Sequence, residues 1–333
     1  MNTFGNRFKI TLSGESHSPT IGVTIEGLPA GIKVSQEDLL KEIDRRRPSQ
    51  KGTTARSESD IPHIIRGIEN GVTTGTSVKI VFENKNIRPG DYSQFTEIPR
   101  PSHADMVRLQ KYPKEQLSSG GGIFSGRMTL PLVAAGAIAK KLIGPIEISS
   151  EFVSLGEMAI PAQYKESPGD YAPFAEYLDS VIKDGDSIGG IIRCTCKNVP
   201  AGLGEPFFES MESRISQLIF SIPGIRGIEF GDGFAAASML GSQHNDPITD
   251  TFGHTSKNSA GGINGGITNG NSIVFSVAVK PTASISKPQR SISLKTGEMT
   301  EFSIKGRHDA CFALRVPVVI ESMAAIAITS FTV

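Results

Sequence analysis

Apolar and polar residues alternate along several short stretches of the chain, which is the pattern expected of strands. β-Branched residues recur there at every second position, so one face of each strand would be buried. We predict strands at Val23-Thr-Ile-Glu, Ser77-Val-Lys-Ile-Val-Phe, Glu147-Ile-Ser-Ser-Glu-Phe-Val, Gly189-Gly-Ile-Ile-Arg-Cys-Thr-Cys and Ser272-Ile-Val-Phe-Ser-Val-Ala-Val.

Three other stretches have the pattern of helices. The stretch from Ser35 opens with a capping residue, has acidic residues in its first turn and repeats apolar residues at helical spacing. The stretches from Met128 to Ile143 and from Pro317 to Ile328 are small and apolar on every side. A helix of that kind has no face to present to water, so both should be buried.

Two parts of the sequence are similar to each other. Asn70-Gly-Val-Thr-Thr-Gly-Thr-Ser-Val resembles Gly266-Ile-Thr-Asn-Gly-Asn-Ser-Ile-Val, and a His/Asp pair and an apolar helix follow each of them. The order indicates an internal duplication, although chance similarity of Gly/Thr-rich strand entries explains it equally well. The 36 glycines and 20 prolines are spread evenly without a linker. We therefore predict one domain over residues 1–333.

Composition narrows the classes of protein to consider. The 333 residues are 38% hydrophobic, and 34 Lys plus Arg balance 34 Asp plus Glu. A neutral chain has no overall field for nucleic acid or an anionic membrane, so an anion site must be built locally. The N-terminus does not resemble a signal peptide and the apolar stretches are too short to span a bilayer, so we expect a cytoplasmic protein.

The three cysteines do not indicate a disulfide framework. Cys194 and Cys196 are two residues apart, which would place both sulfurs on one face of a strand, and Cys311 is distant in sequence. A zinc site would need a further pair of ligands at suitable spacing, which the sequence lacks. We predict no metal.

Two polar segments have residues that could bind an anion. Gly14-Glu-Ser-His-Ser-Pro lies between two apolar strands, although a hydrogen-bonded polar turn would have the same composition. Asp44-Arg-Arg-Arg-Pro ends a helix, and the loop after it adds Lys51 and Arg56. Several cations could converge there on a polyanion. The alternatives are a solvated basic turn and a nucleic-acid patch, and the sparse aromatic residues argue against the latter.

Glycine-rich segments provide a second group of candidates. Ser118-Ser-Gly-Gly-Gly-Ile-Phe-Ser-Gly-Arg leads into an apolar helix, whose first N–H groups could bind phosphate, although a flexible turn is the alternative. Ala260-Gly-Gly-Ile-Asn-Gly-Gly-Ile, Val279-Lys-Pro-Thr-Ala-Ser-Ile and Lys305-Gly-Arg-His-Asp-Ala-Cys suit a flat cofactor with polar edges. The sequence has neither a dinucleotide fingerprint after a strand nor a Walker loop.

Taken in order, these segments resemble the chorismate synthases over essentially the whole chain. The matching blocks are Asn2-Thr-Phe-Gly, Gly14-Glu-Ser-His, Asp44-Arg-Arg-Arg-Pro, Gly71-Val-Thr-Thr-Gly-Thr, Pro101-Ser-His-Ala-Asp, Val133-Ala-Ala-Gly-Ala-Ile-Ala-Lys-Lys, Pro200-Ala-Gly-Leu-Gly-Glu-Pro, Gly231-Asp-Gly-Phe, Gly261-Gly-Ile-Asn-Gly-Gly-Ile, Lys280-Pro-Thr and Gly306-Arg-His-Asp.

The resemblance implies both a fold and a reaction. The fold would be α+β, a layered sandwich of antiparallel sheets with helices between them. The reaction would be the elimination of phosphate from 5-enolpyruvylshikimate 3-phosphate, dependent on reduced FMN, which yields chorismate for aromatic amino acid biosynthesis. The assembly would be a homotetramer. Reduction of the flavin by NADPH on the chain itself and reduction by an outside reductant both remain open.

The resemblance also implies roles for individual residues. His17, with Ser16 beside it, would protonate the leaving phosphate, His103 would protonate or steady the reduced flavin, and Asp309 would assist its N5 atom. The best candidates for substrate binding are Arg46, Arg127 and Arg307, with Arg45, Arg47, Arg56 and Arg315 nearby in the motifs. The flavin would be lined by Ser125, Gly265, Lys280, Thr282, Ser284 and Arg307.

The chain departs from the usual family pattern at a few positions. Ser18 stands where Gly is usual, the loop after the arginines is one residue shorter with Lys51 near the place of a frequent Arg, and Ala310 replaces Pro. Ile123 and Phe124 occupy the glycine block, which loses one Arg and one Ser. These changes bear on affinity, whereas retention of both histidines and the aspartate favours an active enzyme.

The sequence leaves two other hypotheses about the function. One is a diverged flavoprotein or phosphate lyase that keeps the scaffold and acts on another anion, and the other is a flavin- or anion-binding protein without activity. Mere binding would not need His17, His103 and Asp309 together. An anaerobic assay with reduced FMN distinguishes these possibilities.

Overall fold

The described part of the first half of the chain forms a five-stranded antiparallel sheet, a small three-stranded sheet and three α-helices. The computed structural model describes residues 2–54, 59–85, 94–112, 121–304, 306 and 308–333. In chain order the elements are β1 (Thr3–Phe4), β2 (Lys9–Gly14), β3 (Thr20–Glu26), β4 (Ala30–Lys33), α1 (Gln36–Arg46), β5 (His63–Arg66), β6 (Ile68–Glu69), β7 (Val72–Thr74), β8 (Val78–Glu83), α2 (Asp105–Lys111) and α3 (Thr129–Leu142). The larger sheet, called here the N-terminal sheet, has the order β1-β2-β3-β8-β5.

The second half repeats this organisation with a second antiparallel sheet. Its elements are β9 (Glu147–Leu155), β10 (Met158–Ala159), α4 (Ala172–Lys183), β11 (Gly190–Lys197), α5 (Met211–Ile219), β12 (Ile225–Phe230), α6 (Gly241–His244), β13 (Ile263–Asn264), β14 (Ile267–Thr268), β15 (Ile273–Val279), β16 (Gln289–Ile292), β17 (Met299–Phe302) and α7 (Pro317–Thr332). The C-terminal sheet has the order β10-β9-β11-β15-β12, and β13-β14 and β16-β17 are separate hairpins.

Helices α3 and α7 pack against each other and form the middle layer of the molecule. Helix α3 also contacts β3 and β8 of the N-terminal sheet, whereas α7 contacts β9 and β11 of the C-terminal sheet. The side chains of residues 129–139 in α3 and 318–329 in α7 are all buried. The predicted sandwich of antiparallel sheets with helices between them is therefore confirmed, and so is the burial of both apolar helices.

The periodicity of the sequence also located the other predicted elements. Helix α1 begins after Ser35, whose hydroxyl accepts a hydrogen bond from Asp38 N while the Asp38 carboxylate accepts one from Ser35 N. All five predicted strands are present as β3, β8, β9, β11 and β15. Cys194 and Cys196 lie on β11 and are both fully buried, as their spacing predicts. Among the described helices, none is long and apolar enough to cross a bilayer.

A close approach between the two central helices depends on a glycine. A Cβ atom added to Gly136 of α3 would lie 2.2 Å from Ser322 Cβ and 2.6 Å from Ser322 Cα of α7. Both distances are far below van der Waals contact, and one of them is to backbone that cannot rotate away. Separation of the helices would in turn disturb both sheets, because each helix carries one of them.

The Gly136→Ala substitution should therefore destabilise the protein. Alanine favours a helix over glycine by about 1 kcal/mol, but overpacking of a tight core costs about 1–3 kcal/mol, and here the clash involves backbone. We expect a lower midpoint of thermal unfolding than for the wild type. Gly169→Ala is the control, since a Cβ there meets nothing within 4 Å. An equal or higher midpoint for Gly136→Ala would contradict this packing argument.

Candidate active site

A cavity of about 730 Å³ brings together most of the residues singled out in the sequence. Its walls are formed by the turn before β3, the end of α1, the turn before α2, the approach to α3, the start of β12, the loop after β15 and the approach to α7. The predicted site residues on these walls are Ser16, His17, Arg46, His103, Ser125, Arg127, Lys280, Thr282, Ser284, Asp309 and Arg315.

The charges on these walls favour an anionic ligand. Among the described residues, six basic side chains but only two acidic ones line the cavity: Arg46, Arg100, Arg127, Arg226, Lys280 and Arg315 against Asp60 and Asp309. Burial, together with the neighbouring Arg226, lowers the pKa of Lys280. Burial and the nearby Arg315 likewise lower the pKa of Arg46. Both shifts express the cost of holding like charges close together out of water, which an anion would relieve.

Only one of the three consecutive arginines at the end of α1 reaches the cavity. Arg46 is buried and lies on the same helix face as Leu39 and Ile43. Arg45 instead forms a two-point ion pair with the buried carboxylate of Glu321 on α7, at 2.6 and 2.7 Å. Arg47 pairs with Asp44 at 2.6 Å outside the cavity. Successive helix residues point about 100° apart, so three neighbours cannot share one site.

The buried carboxylate of Asp60 lies between the two buried arginines of the cavity. Its Oδ1 atom accepts a short hydrogen bond from Arg127 Nη1, and its Oδ2 atom lies 3.4 Å from Arg46 Nη1. The exposed fraction of all three side chains is below 10%. Asp60 has a φ of 46°, in the left-handed region that most residues avoid. Arg46 also donates to Thr129 Oγ1 and to Gly126 O, which ties the end of α1 to the start of α3.

The turn that carries His17 is held in place by Asn84. The Asn84 Oδ1 atom accepts a hydrogen bond from Arg127 Nε at 3.0 Å, and its Nδ2 atom donates to Ser18 O at 2.7 Å. The hydroxyl of Ser18 is 2.8 Å from Glu15 O and accepts from Glu15 N, so it closes the turn on itself. The serine that replaces the usual glycine therefore has a structural explanation here.

His103 belongs to a strained turn on the opposite wall. Ser102 has a φ of 56°, and its carbonyl accepts a hydrogen bond from Lys280 Nζ at 3.1 Å. The Nδ1 atom of His103 lies 2.7 Å from Asp105 Oδ1. The strain at Ser102 thus brings the histidine, its acidic neighbour and the loop after β15 together.

The Asp309 side chain connects the loop after α1 with the segment before α7. Its Oδ1 atom accepts a hydrogen bond from Thr54 N at 2.8 Å, and both of its oxygens lie 3.3–3.4 Å from Arg315 Nη1. Arg315 Nε in turn donates to Arg46 O at 3.2 Å. The predicted acid and two predicted arginines are therefore connected through one set of hydrogen bonds.

Several buried polar atoms of the cavity have no hydrogen-bond partner within the part of the chain that the structure describes. They are Ser16 Oγ, Thr282 Oγ1 and His308 Nε2. Burial, and next to it the charge of Arg100, lowers the pKa of His308, so this imidazole is neutral near pH 7. Buried polar groups normally find partners. These atoms are therefore candidates for contacts to a ligand.

Other candidates from the sequence, besides Arg45 and Arg47, either do not line the cavity or lie outside the described residues. Gly265 is the turn residue between β13 and β14 and does not line the cavity, so its predicted contact with a cofactor remains a prediction. Arg56 and Arg307 lie outside the described residues. Lys51 pairs with Asp179 of α4 at 2.5 Å and faces away from the cavity. Within the described ranges, no group of His, Cys, Asp and Glu side chains is arranged to hold a metal ion.

The structure also adds residues that the sequence reasoning missed. Asp60 and Asn84 belong to no recognisable motif, and only the folded chain brings them to Arg127. Arg100 and Asp105 flank the predicted His103, and His308 precedes the predicted Asp309. Their positions inside motifs were a usable signal, because charged neighbours of a candidate histidine commonly orient it.

Fold and site together indicate a class: an enzyme with a basic cavity that suits a small anionic ligand and that is lined, among the described residues, by three histidines and two aspartates. The family model for chorismate synthase matches residues 8–333. A chorismate synthase of Chitinophaga pinensis is 52% identical over 332 residues, covering 99% of this chain and 96% of the relative. One of Korarchaeum cryptofilum is 41% identical and covers 98% and 95%.

A solved structure agrees with these relatives. A crystal structure of chorismate synthase superimposes with a TM-score of 0.74 at 26% identity, covering 98% of this chain and 92% of the other. The chain belongs to the chorismate synthase family, whose members are lyases of the shikimate pathway in aromatic amino acid biosynthesis.

The Asp60→Asn substitution should make the protein depend on bound anions for stability. Asparagine tolerates a positive φ and has the same shape, but it removes the charge that compensates Arg46 and Arg127. Removal of one partner from a buried ion pair costs about 3–5 kcal/mol. We expect a lower midpoint of thermal unfolding, and inorganic phosphate should raise that midpoint more in the variant than in the wild type.

The control for this experiment is Asp44→Asn. The Asp44 carboxylate pairs with Arg47 at the surface, where its side chain is 56% exposed. Loss of an exposed pair changes stability by less than about 1 kcal/mol. Equal responses of Asp60→Asn and the wild type to phosphate would show that Asp60 does not compensate the two arginines.

Proposed function

We propose that the chain catalyses the elimination of phosphate from 5-enolpyruvylshikimate 3-phosphate to give chorismate, with reduced FMN as cofactor. The observation that carries this proposal is the convergence of His17, His103 and Asp309 on one basic cavity. The substrate has two carboxylates and a phosphate, so it needs several cations at once, and six basic side chains among the described residues line the cavity. Reduced FMN, when bound, supplies electron density for breaking the carbon–oxygen bond and is recovered unchanged.

The phosphate side of the site is assigned to the wall around His17. This histidine and Ser16 belong to the turn that Asn84 connects to Arg127. A cation beside the departing phosphate stabilises its charge, and a proton from His17 would neutralise it further. The unpartnered hydroxyl of Ser16 is available to the same group. Arg127 is connected through Asn84 to the turn that carries His17, and Arg46 shares the carboxylate of Asp60 with Arg127. We assign both arginines to substrate binding.

The cofactor side is assigned to the loop after β15 and the turn before α2. The buried Thr282 hydroxyl lacks a partner among the described residues, which suits a polar edge of a flat ring. The hydroxyl of Ser284 accepts a hydrogen bond from Arg100 and can still donate its own proton to a ligand. Lys280 adds a positive charge, and Ser125 begins the approach to α3. We assign Ser125, Lys280, Thr282 and Ser284 to flavin binding, together with Arg307 and Gly265 from the sequence pattern.

We assign Asp309 to the step in which the substrate ring loses its hydrogen, where it would assist N5 of the flavin. Its carboxylate is fixed by Thr54 N and Arg315, so it is oriented before a ligand enters. An acid held in this way keeps its direction during the reaction, which is how a positioned group contributes to proton transfer. Arg315 would contact both this acid and the substrate.

We propose that the chain, as one domain over residues 1–333, assembles into a homotetramer. Several large apolar side chains of the second half are at least 68% exposed on the single chain: Phe207, Phe208, Phe234, Leu240, Ile248 and Phe252. Exposed apolar surface of this extent commonly marks a protein–protein interface. A second copy of the chain would cover it without requiring another partner.

The proposal is tested by an anaerobic assay with reduced FMN and 5-enolpyruvylshikimate 3-phosphate. We expect phosphate release to require the reduced flavin, while the flavin absorbance after many turnovers shows that it is still reduced. Oxidised FMN under the same conditions is the control and should give no product. Oxidation of one flavin for each phosphate released would contradict the proposed role of the cofactor.

The two histidines should have separable roles. His17→Ala and His103→Ala should each lower turnover by roughly 10²–10⁴-fold, as expected for a lost general acid, with smaller effects on substrate affinity. Only His103→Ala should change the pH at which bound reduced flavin alters its absorbance. His254→Ala serves as the control, because His254 is exposed and does not line the cavity. Undiminished turnover in His17→Ala would refute its assignment.

A further inference from the structure

A buried ion pair stands directly behind His103. The Asp105 side chain is 2% exposed, and its Oδ1 atom is 2.7 Å from His103 Nδ1. Arg100 donates to the same carboxylate from its Nε atom at 2.7 Å, from its Nη2 atom at 2.9 Å and from its backbone N atom at 3.1 Å. The carboxylate therefore has three donors from Arg100 and the His103 nitrogen arranged around its two oxygens, and little freedom to rotate.

This ion pair is also fixed to the wall assigned to the cofactor. Arg100 Nη1 donates to Ser284 Oγ at 2.9 Å, and the guanidinium group lies over the ring of Phe95 at 4.1 Å from its centroid. All three nitrogens of the guanidinium group therefore have hydrogen-bond partners, and one of its faces packs on an aromatic ring. Lys280 adds a second connection between the same two segments through Ser102 O. His103 and Ser284 are consequently parts of one rigid unit.

The contacts decide which nitrogen of the imidazole carries its proton. Burial alone would raise the pKa of Asp105, but hydrogen bonds from Arg100 and His103 hold the pKa of this carboxyl well below its usual range. An ionised carboxylate only accepts hydrogen bonds, so His103 Nδ1 must carry a proton at 2.7 Å from it. Arg100 Nη2 has two N–H groups; it donates one to Asp105 Oδ1 at 2.9 Å and also lies 3.0 Å from His103 Nδ1, so the Asp105–His103 contact decides the tautomer. If Nδ1 instead accepted a hydrogen bond from Arg100, its lone pair would face a lone pair of Asp105 Oδ1 at 2.7 Å.

We propose that Asp105 and Arg100 are positioning residues that hold His103 as the Nδ1–H tautomer, with Nε2 as the nitrogen available to the ligand in the cavity. This inference rests on the proposed function, in which His103 acts next to the cofactor. Asp105 determines the tautomer and the angle of the ring, whereas Arg100 fixes Asp105 relative to Ser284. Among the described residues, the other charged or titratable groups near this wall are Lys280, its neighbour Arg226, and His308. Burial, followed by the charge of Arg100, lowers the pKa of His308.

The first test uses Asp105→Asn in the full-length protein. An amide of the same size can donate to Nδ1, which favours the opposite tautomer. We expect the ¹⁵N chemical shifts of His103 in histidine-labelled protein to change from the Nδ1–H pattern to the Nε2–H pattern. Turnover with reduced FMN should fall by roughly 10²–10⁴-fold, the range of a misplaced tautomer in a carboxylate–histidine pair, while substrate KM should change less than about threefold.

The chain offers a matched control for this variant. His254 Nδ1 lies 2.6 Å from Asp250 Oδ2 in an exposed pair that does not line the cavity. Asp250→Asn should change the ¹⁵N signals of His254 and leave turnover at the wild-type value. An Asp105→Asn protein with an unchanged His103 tautomer, or with a changed tautomer and full turnover, would overturn the proposal.

A second variant covers the case in which Asp105→Asn does not fold. Arg100→Lys keeps a positive charge beside Asp105 but loses the fork that reaches Ser284. We expect His103 to remain the Nδ1–H tautomer and turnover to fall about tenfold, because the ring is held less firmly. Turnover within twofold of the wild type would contradict the role of Arg100.

The outcomes also separate this inference from the proposed function. If the wild type released no phosphate with reduced FMN, the proposed function would fail, yet the ¹⁵N spectra of the wild type and Asp105→Asn would still test which nitrogen Asp105 selects. If the wild type is active and only the tautomer experiment fails, the assignment of Asp105 is wrong and the function stands.

Discussion

Burial of two guanidinium groups beside one carboxylate is the constraint on which the cavity depends. Arg46 comes from the end of α1, Arg127 from the approach to α3, and Asp60 from the loop before β5. A buried charge without a partner would cost several kcal/mol, so these three segments are held together or not at all. Asn84 extends the same network to the turn that carries His17. The position of a proposed catalytic group is therefore a consequence of compensating buried charge.

The two central helices explain why the charges meet at this point. Small residues such as Gly136 allow α3 and α7 to approach closely, and each helix carries one sheet. Both helices begin at the cavity: Arg127 precedes α3 by two residues, and Arg315 precedes α7 by two residues. Helix N-termini attract anions through their free N–H groups and their dipoles. Both helix starts therefore lie at the same basic cavity, while the internal duplication stays a prediction.

Periodicity was sufficient to predict the main helices and strands, whereas motif order predicted only part of the residues that line the cavity. The spacing of Leu39, Ile43 and Arg46 on α1 already indicates which of three arginines is buried, since i, i+4 and i+7 share a face. His17, His103 and Asp309, which the motifs singled out, all line one cavity, and their catalytic roles stay predictions. Asp60 was beyond such reasoning, because it lies in a loop without periodicity and approaches Arg127 only in the folded chain. Ser18 is explained by its hydrogen bonds to Glu15, which the sequence does not reveal.

The acids of the site share a further property that bears on selectivity. Asp60 is paired with Arg46 and Arg127, Asp105 with Arg100, and Asp309 with Arg315, so most cations of the cavity have a partner before a ligand enters. An incoming anion has to share these cations with fixed carboxylates. A ligand with one charge gains little from such a competition, whereas one with several charges engages the surplus of basic side chains at many points simultaneously. Because the pairs are formed in advance, the side chains need not reorganise when charge develops on the ligand, and this is the condition under which electrostatic stabilisation acts on the reaction rather than on binding alone.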